Sequence, residues 1–191
     1  MDIQLPKPKP EGKKSLEECI FERESIRRFK DKEVEIEKIS QLLWSAQGKK
    51  GFKRTVPSAG ATYPLEIYVA LKNKGIFLYN IEKHKLEQLT EVDIGRELSS
   101  ASLHQNFIHK APLNIIICAI FSRTCNRYGD RGVKYVLIEV GHCAQNIHLQ
   151  AVALGLSSVP IGAFHDKDVS QVLNLSKNVE PLYIIPIGYP K

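Results

Sequence analysis

The chain has 191 residues, 43% of them hydrophobic and 25% charged, a balance that excludes a disordered chain and fits one domain able to bury a core. Its net charge of +6 permits an anionic partner, whether nucleic acid, a membrane surface or a phosphorylated small molecule, without choosing among them. The longest apolar run, Ile115 to Phe121, is far shorter than the ~20 residues a bilayer requires, and the N-terminus has no secretory signal, so a cytoplasmic protein without a membrane role is expected.

Prolines alternate with lysines in the opening "MDIQLPKPKPEGKK", which reads as a flexible, solvated arm over residues 1–14 and leaves 15–191 as the folded domain. Ser15 and Glu18 have the spacing of a capping box and predict a helix to about Glu24. Ile36, Ile39, Leu43 and Ala46 recur at three and four and predict a second helix, ended by Gly48. Lys49, Lys50, Lys53 and Arg54 then cluster with only Phe52 among them. A nucleic-acid surface usually interleaves more aromatic residues with its cations, so nucleic acid is not favoured.

After the "PSAG" turn, Leu65, Ile67, Val69 and Leu71 alternate as a strand, and "NKG" turns the chain into "IFLYN" and a short strand near Leu86 to Leu89. This is an antiparallel meander. A short helix over Ile94 to Ala101 precedes "APLNIIICAIF", a strand without polar alternation and therefore central. The longest helix is expected from Gly132 to Leu154, and it is apolar on more than one face. A helix apolar on most sides needs covering on most sides, and a subunit partner would supply the cover. The turn "SSVPIGAF", a helix near Asp168 to Leu175 and a last strand "LYIIPIG" complete the chain. Without regular β-α-β alternation, this order predicts an α+β fold with a mixed or antiparallel sheet flanked by helices.

Several chemistries find no motif. The four cysteines (Cys19, Cys118, Cys125 and Cys143) include no C-x-x-C pair, which points to free, mostly buried thiols. His142 and His148 are six apart and do not face together as ligands would, so no metal site is expected. Neither a G-x-G-x-x-G fingerprint nor a Walker loop nor a complete G-x-S-x-G elbow is present.

Three segments remain. Arg23, Ser25 and Arg27 lie where the first helix runs out; if the turn persists, the two arginines share a face and can grip a phosphate. The ordinary alternative is pairing with Glu22 and Glu24. Pro57, Ser58, Ala59 and Gly60 form a turn small enough for backbone to approach a flat ligand, or an ordinary loop. Pro160, Ile161, Gly162 and Ala163 connect the long helix to the next element; Gly162 leaves its amide unobstructed for a ligand atom, or the segment is a connection shaped by turn chemistry alone.

In this order, "RxSxR", "PSAG", "GHCAQNIHLQAVALGL", "VPIGAF" and "YIIPIGYP" resemble the nitroreductase superfamily of FMN oxidoreductases over residues 15 to 190. "PSAGATYPLE", "RYGDRG" and "EVGHCAQN" are most similar to its SagB-type dehydrogenase branch. The resemblance implies a homodimer with composite active sites and the long central helix at its interface. It also implies that Arg23, Ser25 and Arg27 hold the FMN phosphate, that Pro57 to Gly60 approach FMN from the partner subunit, and that Pro160 to Ala163 run beside the ring, with the Gly162 amide donating to N5. NADH or NADPH is the implied electron donor, and a small-molecule or peptide substrate the second reactant. Tyr63, Tyr128, Lys134 and Tyr135 are candidates for the substrate side. A flavin-binding scaffold without turnover and a basic nucleic-acid-binding domain are the other readings.

Overall fold

The structure, a computed structural model, describes residues 1–191. Its N-terminus is not a free arm. Residues Ile3–Gln4 form β1, Leu5 is buried in the core, and the Pro6 carbonyl accepts from the Ser40 hydroxyl. Apolar Ile3 and Leu5 alternate with polar neighbours, and that short period of two outweighs the proline and lysine repeat behind it. Residues beyond Pro6 are mostly exposed.

The Ser15 side chain accepts from the Glu18 amide while Glu18 accepts from the Ser15 amide, and this reciprocal box starts α1 (Leu16–Glu22). Helix α2 (Ile36–Gln47) buries Ile39, Leu42, Leu43 and Ala46. Gly48 ends it in an extended conformation, where a Cβ would fall 2.3 Å from Trp44 Cδ1. The lysine cluster that follows is a small hairpin, β2 (Lys49–Lys50) with β3 (Lys53–Arg54).

Strands β4 (Leu65–Leu71), β5 (Gly75–Asn80) and β6 (Lys85–Thr90) form the expected meander. Next come α3 (Gly95–Ala101), α4 (Asn106–Lys110) and β7 (Leu113–Ala119), then α5 (Ser122–Tyr128) and the 23-residue α6 (Arg131–Ala153). The chain ends with β8 (Ser157–Ser158), α7 (Asp166–Val172) and β9 (Glu180–Gly188). One seven-stranded sheet, antiparallel at every strand pair, runs β1-β6-β5-β4-β7-β9-β8.

All seven residues of β7 are buried, because β4 and β9 pair with its edges and helices cover its faces. Ile115 sits opposite Val69 on one side and Ile185 on the other. Leu113, Ile115 and Ile117 join α2 and α6 in the larger core; Ile116 and Cys118 point the other way, into a core shared with Leu98 of α3, Ile108 of α4 and Val169 of α7. Each buried isoleucine contributes ~1.5–3 kcal/mol through removal from water. The result is three layers, helices on both faces of an antiparallel sheet.

Helix α6 buries Val136, Val140, Ala144 and Ile147 against the sheet, yet Val133, Leu137 and Ile138 stay about half exposed. Phe21 of α1 is 90% exposed, and Leu16 and Ile20 beside it are more than half exposed. The broad apolar surface read from the sequence is thus only half covered within one chain. No helix is long and apolar enough to cross a membrane. Cys19, Cys118 and Cys143 are buried free thiols, as expected, and Cys125 is partly exposed.

Candidate active site

The helical expectation for Arg23, Ser25 and Arg27 is corrected by the structure. Helix α1 stops at Glu22, and Arg23 is already extended, with φ −61° and ψ 117°. Ser25 then bridges Ser158 of β8, whose carbonyl accepts from the Ile26 amide at 3.2 Å. Tertiary pairing with β8 has overridden local helix preference here. In extended chain, side chains two apart face the same way, so Arg23 and Ser25 share a side for a reason other than helical spacing. Arg27 follows, its guanidinium carbon 5.9 Å from the centre of the Phe107 ring.

Neither arginine is ion-paired. Glu22 bonds instead to Lys14, and no salt bridge engages Arg23, Arg27 or Glu24. Two guanidinium groups, one exposed and one half-buried, are left with their charge uncompensated. An anion is the natural complement.

Directly beneath this segment lies His148 of α6, buried and bonded through Nδ1 to the Ser158 hydroxyl. Its Nε2 has no partner. Burial, aided by the nearby Arg23 charge, pushes the imidazole down to about 4, so it is neutral at pH 7. Sequence spacing excluded His148 as a metal ligand but gave no sign of this position.

Two residues beyond β8, the turn Pro160 to Ala163 begins. The Ile161 amide donates to Ile184 of β9 at 2.7 Å, and the Ile161 carbonyl accepts from Ile184 at 3.0 Å. A trans peptide sets N–H opposite C=O, so with this carbonyl fixed on the sheet, the Gly162 N–H must point away from it. The amides of Gly162, Ala163 and Phe164 have no acceptor in the chain. Below them Gln105 holds the Ala163 carbonyl at 2.9 Å and the Ser102 carbonyl at 3.0 Å. Nothing in the chain requires a glycine at 162, since a Cβ there would meet only the Tyr183 ring at 3.6 Å. The missing side chain therefore leaves room for something else. A cleft of about 510 Å³ opens beside Gly162, lined also by Phe164, Lys167, Gln171 and Leu182.

The third segment lies elsewhere. Pro57 and Ser58 lead into a single 3-10 turn, Ala59–Ala61, in which Gly60 has φ 59°. There a Cβ would fall 2.5 Å from Tyr128 Oη and 2.8 Å from Arg127 Nη1, so Gly60 is fixed by backbone conformation and close approach together. The Ser58 hydroxyl accepts from the Tyr63 amide at 2.9 Å, whereas the amides of Ser58, Ala59 and Gly60 have no acceptor. Under this turn the Glu139 carboxyl of α6 is buried. Its burial raises it above the usual carboxylate range, against the pull of Ser58, Gln47 and Arg54, and its Oε1 has no hydrogen-bond partner.

The structure thus joins two of the three segments and separates the third. Arg23–Ser25 lies at β8 over His148 and the Gly162 turn follows β8 directly in the chain, while the Gly60 turn rests over Glu139. Nine residues of helix part the two histidine and glutamate positions, about 14 Å along α6. Of the other candidates, Tyr128 and Tyr135 stack edge to face with ring centres 5.2 Å apart, Tyr63 lies under the Arg54 guanidinium, and Lys134 is exposed. The three tyrosines gather around the Gly60 turn, and Lys134 is the neighbour of Tyr135 in the first turn of α6.

Helices on both sides of this sheet, with open amides at small-residue turns, define a known architecture. A nitroreductase-family crystal structure from Ralstonia eutropha JMP134 superposes with a TM-score of 0.90 at 26% identity, covering 100% of this chain and 90% of that one. The Nitroreductase family model matches residues 20–189, and the chain belongs to that family of oxidoreductases. A nitroreductase-family protein of Methanocaldococcus jannaschii is 41% identical over 98% of this chain and 96% of its own length. The microcin B17-processing protein McbC of Escherichia coli is 25% identical over 78% of this chain, which spans 59% of that relative. The E. coli microcin synthetase McbBCD complex, solved with truncated pro-MccB17 bound, matches with a TM-score of 0.77 at 25% identity, over 85% of this chain and 67% of that one.

Proposed function

We propose that this protein is an FMN-dependent oxidoreductase of the SagB-type dehydrogenase branch, moving hydride between NADH or NADPH and a small organic or peptidic substrate in a homodimer with two composite sites. The observation that carries this reading is the set of free amides at Gly162, Ala163 and Phe164, presented beside two unpaired guanidinium groups. An anionic tail and an electron-rich ring edge are what such groups complement.

Arg23, Ser25 and Arg27 would hold the FMN phosphate, and the Gly162 amide would face the ring edge. When bound, FMN supplies two-electron hydride chemistry that no side chain here provides. The chain's part is to bind and orient. Ile184 aims the Gly162 amide by fixing the Ile161 carbonyl, and Gln105 braces the next turn. The Gly60 turn, over a part of α6 about 14 Å from His148, would complete the site of a second subunit rather than its own. Exposed Leu137, Ile138, Ile20 and Phe21 offer the apolar surface for that subunit. Pro57 to Gly60 would then close over the partner's flavin, with Tyr63, Tyr128, Lys134 and Tyr135 on the substrate side. Likeness to McbC is the ground for including peptides among the substrates.

Anaerobic titration tests the reading. Protein reconstituted with FMN should lose its yellow absorbance on adding about one equivalent of NADH or NADPH per flavin. A yellow protein that neither nucleotide bleaches would favour a cofactor-binding scaffold instead.

A further inference from the structure

Around the Gly60 turn, beside the tyrosines that the flavin reading puts on the substrate side, the chain assembles four arginines that it leaves unused. Arg127 donates to the Gly60 carbonyl at 3.0 Å and lies 5.5 Å from the Tyr128 ring centre. Arg131, in the first turn of α6, lies 5.6 Å from the Tyr135 ring centre. Those two rings stack on each other at 88°. On the other side of the turn, Arg54 lies 4.4 Å from the Tyr63 ring centre, and Arg123 donates to the Tyr63 carbonyl at 3.1 Å.

The charges do not balance. With Lys134, the rim holds five cations; its carboxylates are Glu66 and Asp130, with Glu82 bound by Lys49 and Glu139 buried beneath the turn, and of the rim's cations only Arg123 forms a salt bridge, to Glu66. Arg127, Arg131 and Lys134 are exposed and unpaired with any carboxylate. A guanidinium lying over a ring is attracted through its face, whereas its N–H donors lie in its plane and stay free for another acceptor. Arg127 and Arg131 lie within cation–π reach of the tyrosines, and the Arg131 side chain makes no hydrogen bond within the chain that would consume a donor. The one bond Arg127 makes, to Gly60, fixes it at the edge of the turn.

We infer that this arginine and tyrosine rim is an oxyanion-binding surface, which selects a reactant bearing a carboxylate or phosphate for the site that the Gly60 turn borders. The inference rests on the proposed function for the identity of that site, but the rim's own chemistry does not depend on flavin. Two sources share that chemistry. One is an organic substrate with its own carboxylate, and the other is the pyrophosphate of a nicotinamide dinucleotide.

Equilibrium dialysis of the full-length protein against phenylacetate and phenylacetamide, isosteres that differ in one charge, tests it. Phenylacetate should bind about 10-fold more tightly at low salt, and the preference should shrink toward parity at high salt. Arg131→Gln should remove most of the preference with an unchanged melting temperature, and Lys74→Gln, in the turn at the far end of β4 from Gly60, none of it. Displacement of phenylacetate by ADP-ribose more strongly than by inorganic pyrophosphate would assign the rim to the dinucleotide; displacement no stronger than by inorganic pyrophosphate would assign it to the organic reactant. Equal binding of the two isosteres, or a preference untouched by Arg131→Gln, overturns the inference. Because neither flavin nor turnover enters the measurement, a protein that refuses FMN yet keeps the preference would sink the flavin reading alone.

Discussion

Replacing Arg23 and Arg27 together with alanine should weaken FMN binding about 100-fold while leaving the fold intact. Each guanidinium to phosphate bond is worth at least ~1.5 kcal/mol, and two together give about 3 kcal/mol, or a factor of about 100 in affinity. Neither arginine forms a salt bridge within the chain, so their removal orphans no internal partner. The double lysine variant should recover only part of the loss, because it restores charge without the planar fork. Fluorescence titration of the apoprotein with FMN measures the effect, and urea melting checks the fold. Unchanged affinity in the double alanine variant would remove the phosphate from this segment.

The second large effect concerns acid. His148 is held down to about 4 in the folded chain, from an ordinary 6.5, first by burial and then by Arg23. The unfolded chain therefore binds this proton before the folded chain does, and stability falls as pH drops from about 6.5 toward about 4. From about pH 7.5 to about pH 4.5 the loss due to His148 is about 2–3 kcal/mol. His148→Gln should flatten that part of the acid slope in urea unfolding at the two pH values. A phosphate seated on Arg23 would offset the repulsion it exerts on the imidazole, so saturating FMN should also reduce the acid loss. A wild-type slope identical to the variant's, with and without FMN, would contradict the placement of His148 under the anion site.

Local signals foretold the elements whose cause is local. Ser15 and Glu18 start α1 by a box that three intervening residues define, and the unbroken apolar run of β7 is central because both its faces and both its edges are covered. The long helix fell within a residue of its expected bounds. Elements formed by partners far along the chain were hidden. β1 exists because Leu86 and Lys85 await it at the sheet edge, and α5, with only Thr124 buried, has no apolar period to read.

The site divides the same way. "RxSxR" was legible as an anion segment, but its geometry was not, since β8 rather than helical spacing sets it. The Gly162 turn was visible through its glycine, while the bonds that aim its amide come from Ile184 and Gln105, 22 residues after and 57 before it. Buried Glu139 and His148 were masked within an apolar helix pattern. The cationic rim had a sequence signal in "RYGDRGVKY", where arginines flank tyrosines, though only folding brings Arg54 and Arg123 to join them.

Flavin stoichiometry and molar mass, determined together on one reconstituted sample by light scattering and by absorbance of the released cofactor, weigh the whole account. Shared sites at a subunit interface require one FMN per chain and a particle of twice 21.6 kDa. A particle of 21.6 kDa that takes up no FMN would contradict it.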